Sequence, residues 1–339
     1  MVLGMKRYAW LILLSSACIK GGAEDPVPFT VWSGWNHTWG LLSHRVSVIR
    51  VKAEDGATAS SGILGGDWST GASWSDDVNY RIHQQTISSH RLTAEQGETV
   101  LTMSSGQPTT SDPFQTDIDA DLVVLRGFQI TTDIDQGADY PEDYDPALGY
   151  TSRGFAMNVS LDRDGHVEVF GDVRWGPRDR DDMNAAIPHA MSELTVWWTA
   201  ISGIDEIESF EFVDQQDLAH EPPNSPQAGL NHPLSWTGHG VTGLSGFNFT
   251  LDDTDGGPGG DYLRSFGVEI PPESDGSAPK QIAAEMLTTS AVELGTMSMG
   301  VQAQAVWIPL DPNLNVIQGS TLEGNHGIGM HTVPPEVED

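Results

Sequence analysis

The sequence predicts an all-β protein built from tandem antiparallel β-sandwich domains that are related by an internal duplication. Three observations support this fold class. Apolar and polar residues alternate over several short segments, turn-rich stretches separate those segments, and one strand pattern recurs later in the chain. The segment 280–294 has a helical composition, but its place in the duplication favours a strand or a mixed segment.

The alternation has the two-residue period of a strand with one buried face. It occurs in 155–161, 194–200 and 247–251. In the first of these segments the apolar positions are Phe155, Met157, Val159 and Leu161. Between the strands lie turn-rich stretches such as 222–226 and 256–260, which contain many of the 37 glycines and 20 prolines.

The duplication relates 125–133 to 244–252, which share the pattern Leu-x-Gly-Phe-x-apolar-Thr-x-Asp. Later correspondences keep the same order, namely Phe155 with Phe266, 162–165 with 273–276, and 196–201 with 305–310. The repeated unit therefore predicts a Phe-bearing strand, an acidic loop, a second strand, an Asp-Gly turn, a third strand and a late Trp-bearing strand.

Composition and repeats together predict the domain boundaries. The predicted segments are a signal peptide at 1–17, a short tether at 18–26, an N-terminal β region at 27–115, sandwich repeat 1 at 116–221, and sandwich repeat 2 with a C-terminal tail at 222–339. Gly34-Trp35-Asn36-His37 in the N-terminal region resembles Gly229-Leu230-Asn231-His232. That region is therefore either a diverged third copy or a set of strands that completes its neighbour.

The first eighteen residues have the three parts of an export signal. Lys6 and Arg7 form a positive start, 8–14 is apolar, and 15–17 are small residues before Cys18. The apolar stretch is too short to span about 30 Å of hydrocarbon, and no later run approaches the roughly 20 apolar residues of a spanning helix. We therefore expect the chain to be exported rather than embedded in a membrane.

This segment resembles the precursors of bacterial lipoproteins, in which a leucine and two small residues precede the cysteine that receives the lipid. Here Leu14 lies four residues before Cys18, and Ser15 stands in the usual position of the leucine. The resemblance implies lipidation of Cys18 and, because Ile19 rather than aspartate follows, an outer-membrane or cell-surface destination. Two alternative cuts, before Cys18 and before Glu24, would give a soluble secreted protein.

Charge and cysteine content restrict the partners. The chain has 48 acidic and 16 basic residues and a formal net charge of -32, so its surface would repel nucleic acid. Cys18 is the only cysteine, so the mature fold has no disulfide, and without a lipid Cys18 would be an unpaired exported thiol. The expected partners are the membrane, through a lipid anchor, and a glycan or an envelope protein.

Acidic loops in the two repeats predict calcium sites, because this hard cation takes several oxygen ligands. The candidate ligands are Asp133, Asp135 and Asp139 in repeat 1, and Asp252, Asp253, Asp255 and Asp261 in repeat 2. A solvated acidic turn is the alternative interpretation of both loops. The motif Asp117-x-Asp119-x-Asp121 is rejected, because it lacks the glycine and the glutamate of a helix-loop-helix calcium loop.

Tryptophans form the second set of candidate binding residues, because exposed aromatic faces stack on sugars or anchor protein partners. The candidates are Trp32, Trp35, Trp39, Trp68 and Trp74, for which core packing is the alternative. Trp198 and Trp307 lie on apolar strand faces and are predicted to belong to the core.

No motif of a known reaction is present in the sequence. It lacks the Gly-x-Ser-x-Gly, His-Glu-x-x-His and Gly-x-x-x-x-Gly-Lys patterns, although the two carboxylates of a glycoside hydrolase would leave no such motif. We therefore assign no catalytic residue. The sequence favours an exported, lipid-anchored, acidic cell-envelope protein that acts as a binding or structural component. The alternative is a secreted carbohydrate-active enzyme or a sugar-binding, lectin-like protein.

Overall fold

The computed structural model contains only strands, turns and irregular segments in the residues that it describes. These are 27–38, 46–52, 77–104, 107–134, 150–177, 190–220, 227–228, 231–253, 262–271, 273, 275–289 and 295–327. The predicted all-β class is confirmed for this part of the chain.

The described strands carry the labels β1 to β17 in chain order. They are β1 (Val27–Thr38), β2 (Val46–Lys52), β3 (Asp77–Ser89), β4 (Thr93–Ser104), β5 (Thr109–Thr110), β6 (Leu122–Ile134), β7 (Tyr150–Leu161), β8 (Val167–Pro177), β9 (Ala190–Ser202), β10 (Glu208–His220), β11 (Gln227–Ala228), β12 (Asn231–Pro233), β13 (Gly240–Asp253), β14 (Tyr262–Glu269), β15 (Gln281–Thr289), β16 (Gly295–Pro309) and β17 (Asn315–Gly327).

These strands form three antiparallel sheets. Sheet A has the order β11-β15-β14-β1-β3-β17, with β12 also paired to β15, whereas sheet B has the order β2-β6-β9-β4 and sheet C the order β10-β16-β13-β7-β8-β5. Every sheet combines strands from at least two of the predicted segments 27–115, 116–221 and 222–339. Strand pairing therefore crosses the predicted boundaries, and the segments share their sheets.

One strand order is common to the three sheets. The run β4-β9-β6-β2 of sheet B corresponds to β10-β16-β13-β7 in sheet C and to β17-β3-β1-β14 in sheet A. The strands in the third place, β6, β13 and β1, each contact the other two. The three sheets therefore meet along these strands.

β1, β6 and β13 also share a β-bulge at the same place in the pattern. The register shifts lie between Trp32 and Gly34, between Leu125 and Gly127, and between Leu244 and Gly246. In each strand the glycine after the bulge is followed by an aromatic residue. A bulge bends its strand and increases the local twist, so the three sheets bend at corresponding positions.

Apolar side chains fill the centre where the sheets meet. Each sheet contributes a fully buried isoleucine, namely Ile87 in β3, Ile201 in β9 and Ile308 in β16. Their partners in the register are Phe29, Leu122 and Val241. We call these six residues the central cluster. Full burial of one such side chain stabilises the fold by about 1.5–3 kcal/mol.

A larger core contains buried residues of all three sheets, and much of it lies between sheets B and C. Gly171 of β8 lies against Leu194, Met103 and Leu101 of sheet B, so the two sheets pack face to face as in a β-sandwich. Aromatic rings continue this core, and the ring centroids of Phe128 and Phe247 are 5.6 Å apart. A methyl group at Gly171 would have no free space between the two sheets.

The predicted core tryptophans are buried. Trp198 is 3% exposed and its ring lies 5.5 Å from that of Phe114. Trp307 is fully buried and stacks on Trp236, with ring centroids 6.0 Å apart. In both places, an aromatic residue that precedes a bulged strand packs on a tryptophan of the neighbouring strand.

We expect Gly154→Ala to destabilise the protein by about 2–4 kcal/mol. Gly154 lies at a bulge of β7 with a φ of 150°, and a Cβ there would collide with the carbonyl oxygen of Phe249 in β13. Chemical denaturation would measure the change in unfolding free energy. Gly165→Ala is the control, because Gly165 has a φ of 79° but open space around it. Equal losses in the two variants would contradict the role assigned to the contact with Phe249.

Candidate functional site

A groove of about 200 Å³ lies on sheet C, on the face opposite the sandwich core. Its polar side chains are amides from three adjacent strands, and an aromatic ring from a fourth strand borders it. The five side chains are Asn158 of β7, Asn248 of β13, Gln302 and Gln304 of β16, and Phe170 of β8. We call this the amide groove.

The strand register brings these side chains together in two neighbouring rows. The first row contains Gln304, Gly246, Asn158 and Phe170 on four successive strands. The second row contains Gln302, Asn248 and Ala156. Because the residues between the rows point into the core, the amides all occupy the other face.

Gly246 gives the groove its depth. A Cβ at this position would lie 3.1 Å from Oδ1 of Asn158 and 2.9 Å from the carbonyl oxygen of Met157. The glycine is also the residue at which the bulge of β13 ends. The bulge and the missing side chain together leave the space between Gln304 and Asn158.

One acceptor atom beside the groove has no donor. Nε2 of Gln302 donates to Oε1 of Glu211 over 2.7 Å, so one N–H of this amide is engaged on the β10 side. Oδ1 of Asn158 is buried and has no hydrogen-bond partner among the described residues. A side-chain rotation that turned this oxygen toward the groove would let it accept a hydrogen bond from a ligand that carries O–H or N–H groups.

The corresponding rows of the other two sheets are filled. In sheet A, His83 and Glu269 flank Gly34, with 3.8 Å between Nε2 and Oε1, and both residues are buried. In sheet B, Trp197 is paired with Gly127, and its indole N–H donates to Glu98 over 2.8 Å. The amides of sheet C are neither a histidine–carboxylate pair nor a large ring, and they leave an opening.

The two Asp-Gly turns predicted in the repeats are present. In the turn between β7 and β8, Oδ1 of Asp162 accepts the backbone N–H groups of Asp164 and His166 at 2.8 and 2.9 Å. In the turn before β15, Oδ1 of Asp275 accepts both donors of Ser277. The carboxylates therefore stabilise these turns through local hydrogen bonds.

Three ligand atoms of the first turn, from Asp162, Asp164 and His166, lie within 4.8 Å of one another. The hydrogen bond from the His166 backbone N–H is the main reason why the pKa of Asp162 lies below its ordinary value. The hydrogen bonds within the turn account for the proximity of these groups, so we derive no metal site from them.

Most residues predicted to bind a ligand or lipid lie outside the described part of the chain. These are Cys18, Trp39, Trp68, Trp74, Asp135, Asp139, Asp255 and Asp261. Trp32 and Trp35 belong to β1, Asp133 to β6, and Asp252 and Asp253 to β13. β6 lies in sheet B and β13 in sheet C, so the two predicted calcium loops begin at strand ends of different sheets.

The sequence-based prediction missed the amide groove. Its only local signal is that Gln302 and Gln304 alternate with small apolar residues, which marks the polar face of a strand. Asn158 and Asn248 lie far away in the chain and join them only through the pairing of β7, β13 and β16. The site is therefore defined by the pairing of strands that are distant in the chain, and not by a local sequence motif.

No model of a known protein family matches this chain, and neither the curated proteins nor the solved structures contain a match. Over the ranges that the structure describes, no helix is long and apolar enough to cross a membrane. Fold and site together define a class, which is an all-β protein of three antiparallel sheets with an amide-lined groove on one of them.

We expect strong acid to open the turn between β7 and β8. The depressed pKa of Asp162 means that its stabilising contribution is complete above about pH 4 and is lost as the pH falls through the folded-state pKa. NMR titration from about pH 6 to about pH 2 should move the amide signals of Asp164 and His166 together. In Asp162→Asn, which lacks this carboxylate, the two amide signals should no longer move together, and continued joint movement would refute the assignment.

Proposed function

We propose that this protein is an exported, lipid-anchored binding protein of the cell envelope, and that the amide groove binds a neutral glycan. The observation that carries this proposal is the convergence of four amide side chains and the Phe170 ring around one groove of about 200 Å³. Such a groove is smaller than the 300–1,000 Å³ typical of drug-sized ligand sites. It suits a single sugar ring.

The chemistry of the groove favours a sugar over a charged ligand. Amides offer both donors and acceptors without charge, which matches the hydroxyl groups of a sugar. The ring of Phe170 provides an apolar face for the C–H groups of a sugar ring. No lysine or arginine is among the lining residues, and the net charge of -32 disfavours an anionic ligand such as a phosphate.

We also propose that the chain contains three related units and not only two. The common strand order of the three sheets supports this, as do the bulges of β1, β6 and β13 at matching positions. The N-terminal region 27–115 would then be a diverged copy, with Gly34 corresponding to Gly127 and Gly246. In this arrangement the units exchange strands, so that each sheet is built by at least two of them.

Attachment through Cys18, after removal of a signal peptide at 1–17, remains part of the proposal and rests on the resemblance of the signal segment to lipoprotein precursors. The outer membrane or cell surface is the proposed location. Calcium binding by the aspartates of 133–139 and 252–261 is likewise a proposal, and its basis is the acidic sequence pattern.

Glycan binding should depend on the amide groove. We expect Gln302→Ala and Asn248→Ala each to weaken binding of the preferred glycan about tenfold, because each variant removes a hydrogen-bonding group from the site. A glycan array, followed by calorimetry on the best ligand, would measure the effect. Gln318→Ala is the matched control, since Gln318 is exposed on β17 in sheet A. Absence of glycan binding, or equal affinity in all variants, would refute the proposed function.

Membrane attachment should depend on Cys18. We expect the wild-type protein, produced with its own signal segment, to enter the detergent phase on phase partition, because the lipid adds about 0.8 kcal/mol per buried methylene group. Cys18→Ala should stay in the aqueous phase. A wild-type protein found only in the aqueous phase would overturn the anchor while leaving the amide groove unaffected.

A further inference from the structure

We propose that Asp172 and Asn158 form an acceptor pair at the edge of the amide groove, and that this pair selects a neutral ligand with two adjacent hydroxyl groups. The inference rests on the proposed function of the groove and specifies the chemistry that it recognises. Neither residue is among those predicted from the sequence.

Asp172 is a buried carboxylate with one engaged oxygen and one unengaged oxygen. The residue is only 5% exposed, and Nε of Arg174 donates to its Oδ2 over 2.9 Å. Its Oδ1 is buried and has no hydrogen-bond partner within the described ranges. A buried acceptor without a donor is costly, whereas a ligand hydroxyl at that position would remove the cost.

The register places Asp172 beside the amide groove. Asp172 is paired with Ala156, which lines the groove, and the next pair on the same face is Phe170 with Asn158. Asp172 and Asn158 are therefore diagonal neighbours on adjacent strands, about 7 Å apart or less between their Cβ atoms. The small side chain of Ala156 leaves the space between them open.

The two unengaged oxygens thus belong to one part of the sheet face. Oδ1 of Asn158 and Oδ1 of Asp172 are both buried acceptors that lack a donor. A ligand ring with hydroxyl groups on adjacent carbons would offer one donor to each oxygen once the two side chains turn toward the groove. C–H groups of the same ring would contact the ring of Phe170, which lies on the same face of the sheet.

Arg174 determines the charge of the preferred ligand. Its guanidinium group already forms an ion pair with Asp172, so the carboxylate is electrically compensated. An ammonium group on the ligand would add a second positive charge at this place, whereas a hydroxyl group donates a hydrogen bond without charge. The pair therefore favours a neutral sugar over the corresponding amino sugar.

The test uses the mature protein and methyl glycosides of glucose, galactose and mannose, together with their mono-deoxy and amino derivatives. For the hexoside that binds best, we expect removal of one hydroxyl group of the recognised pair, or its replacement by an amino group, to weaken binding at least tenfold. Asp172→Asn should bind the parent hexoside about tenfold more weakly than wild type, and should discriminate less against the deoxy derivative.

Glu168→Gln is the matched control, because Glu168 is on the same face of β8 but is paired with Ser160, which does not line the groove. Circular dichroism would check folding, and if Asp172→Asn is unfolded, the deoxy series with wild-type protein decides alone. Unchanged discrimination in Asp172→Asn, or a preference for the amino derivative, would overturn this inference. If Gln302→Ala still weakens binding about tenfold in that case, the proposed function stands. If no glycan binds at all, both fail.

Discussion

The contact among β1, β6 and β13 fixes the relation of the three sheets. These strands meet through the central cluster, in which Ile87, Ile201 and Ile308 are fully buried. Each of these three strands has a bulge close to this contact, and the strand bends at its bulge. Since every sheet joins distant parts of the chain, long loops must close before any sheet is complete. Folding of the described part should therefore be slow.

The same backbone position supports three different side-chain arrangements. Each bulge ends at a glycine, and the residues paired with that glycine differ between the sheets. They are a buried histidine and glutamate in sheet A, and in sheet B Trp197, which is bonded to Glu98. In sheet C the neighbours are Gln304 and Asn158, which leave an open groove. A few different side chains at corresponding backbone positions therefore determine whether the position is filled or forms an open groove.

Local patterns in the sequence predicted individual strands and turns, but they did not predict which distant strands pair. The alternation in 155–161 and the Asp-Gly turns at 162–165 and 273–276 correspond to strands and turns of the structure, because both depend on neighbours in the chain. The resemblance of Gly34 to Gly229 stays a prediction, because Gly229 lies outside the described residues. The structure adds a different similarity, since the bulges of β1, β6 and β13 end at Gly34, Gly127 and Gly246. The amide groove was missed because its residues meet only through strand pairing.

The position of β1 has a mechanical consequence. This strand is the first that the structure describes, yet it lies inside sheet A, hydrogen-bonded to β14 on one side and to β3 on the other. A pulling force on the N-terminal segment therefore acts along a strand held on both sides, so that many hydrogen bonds must yield together in shear. An edge strand would instead peel away one bond at a time. A chain attached to a surface by its N-terminus would resist detachment of its fold under flow or stretching.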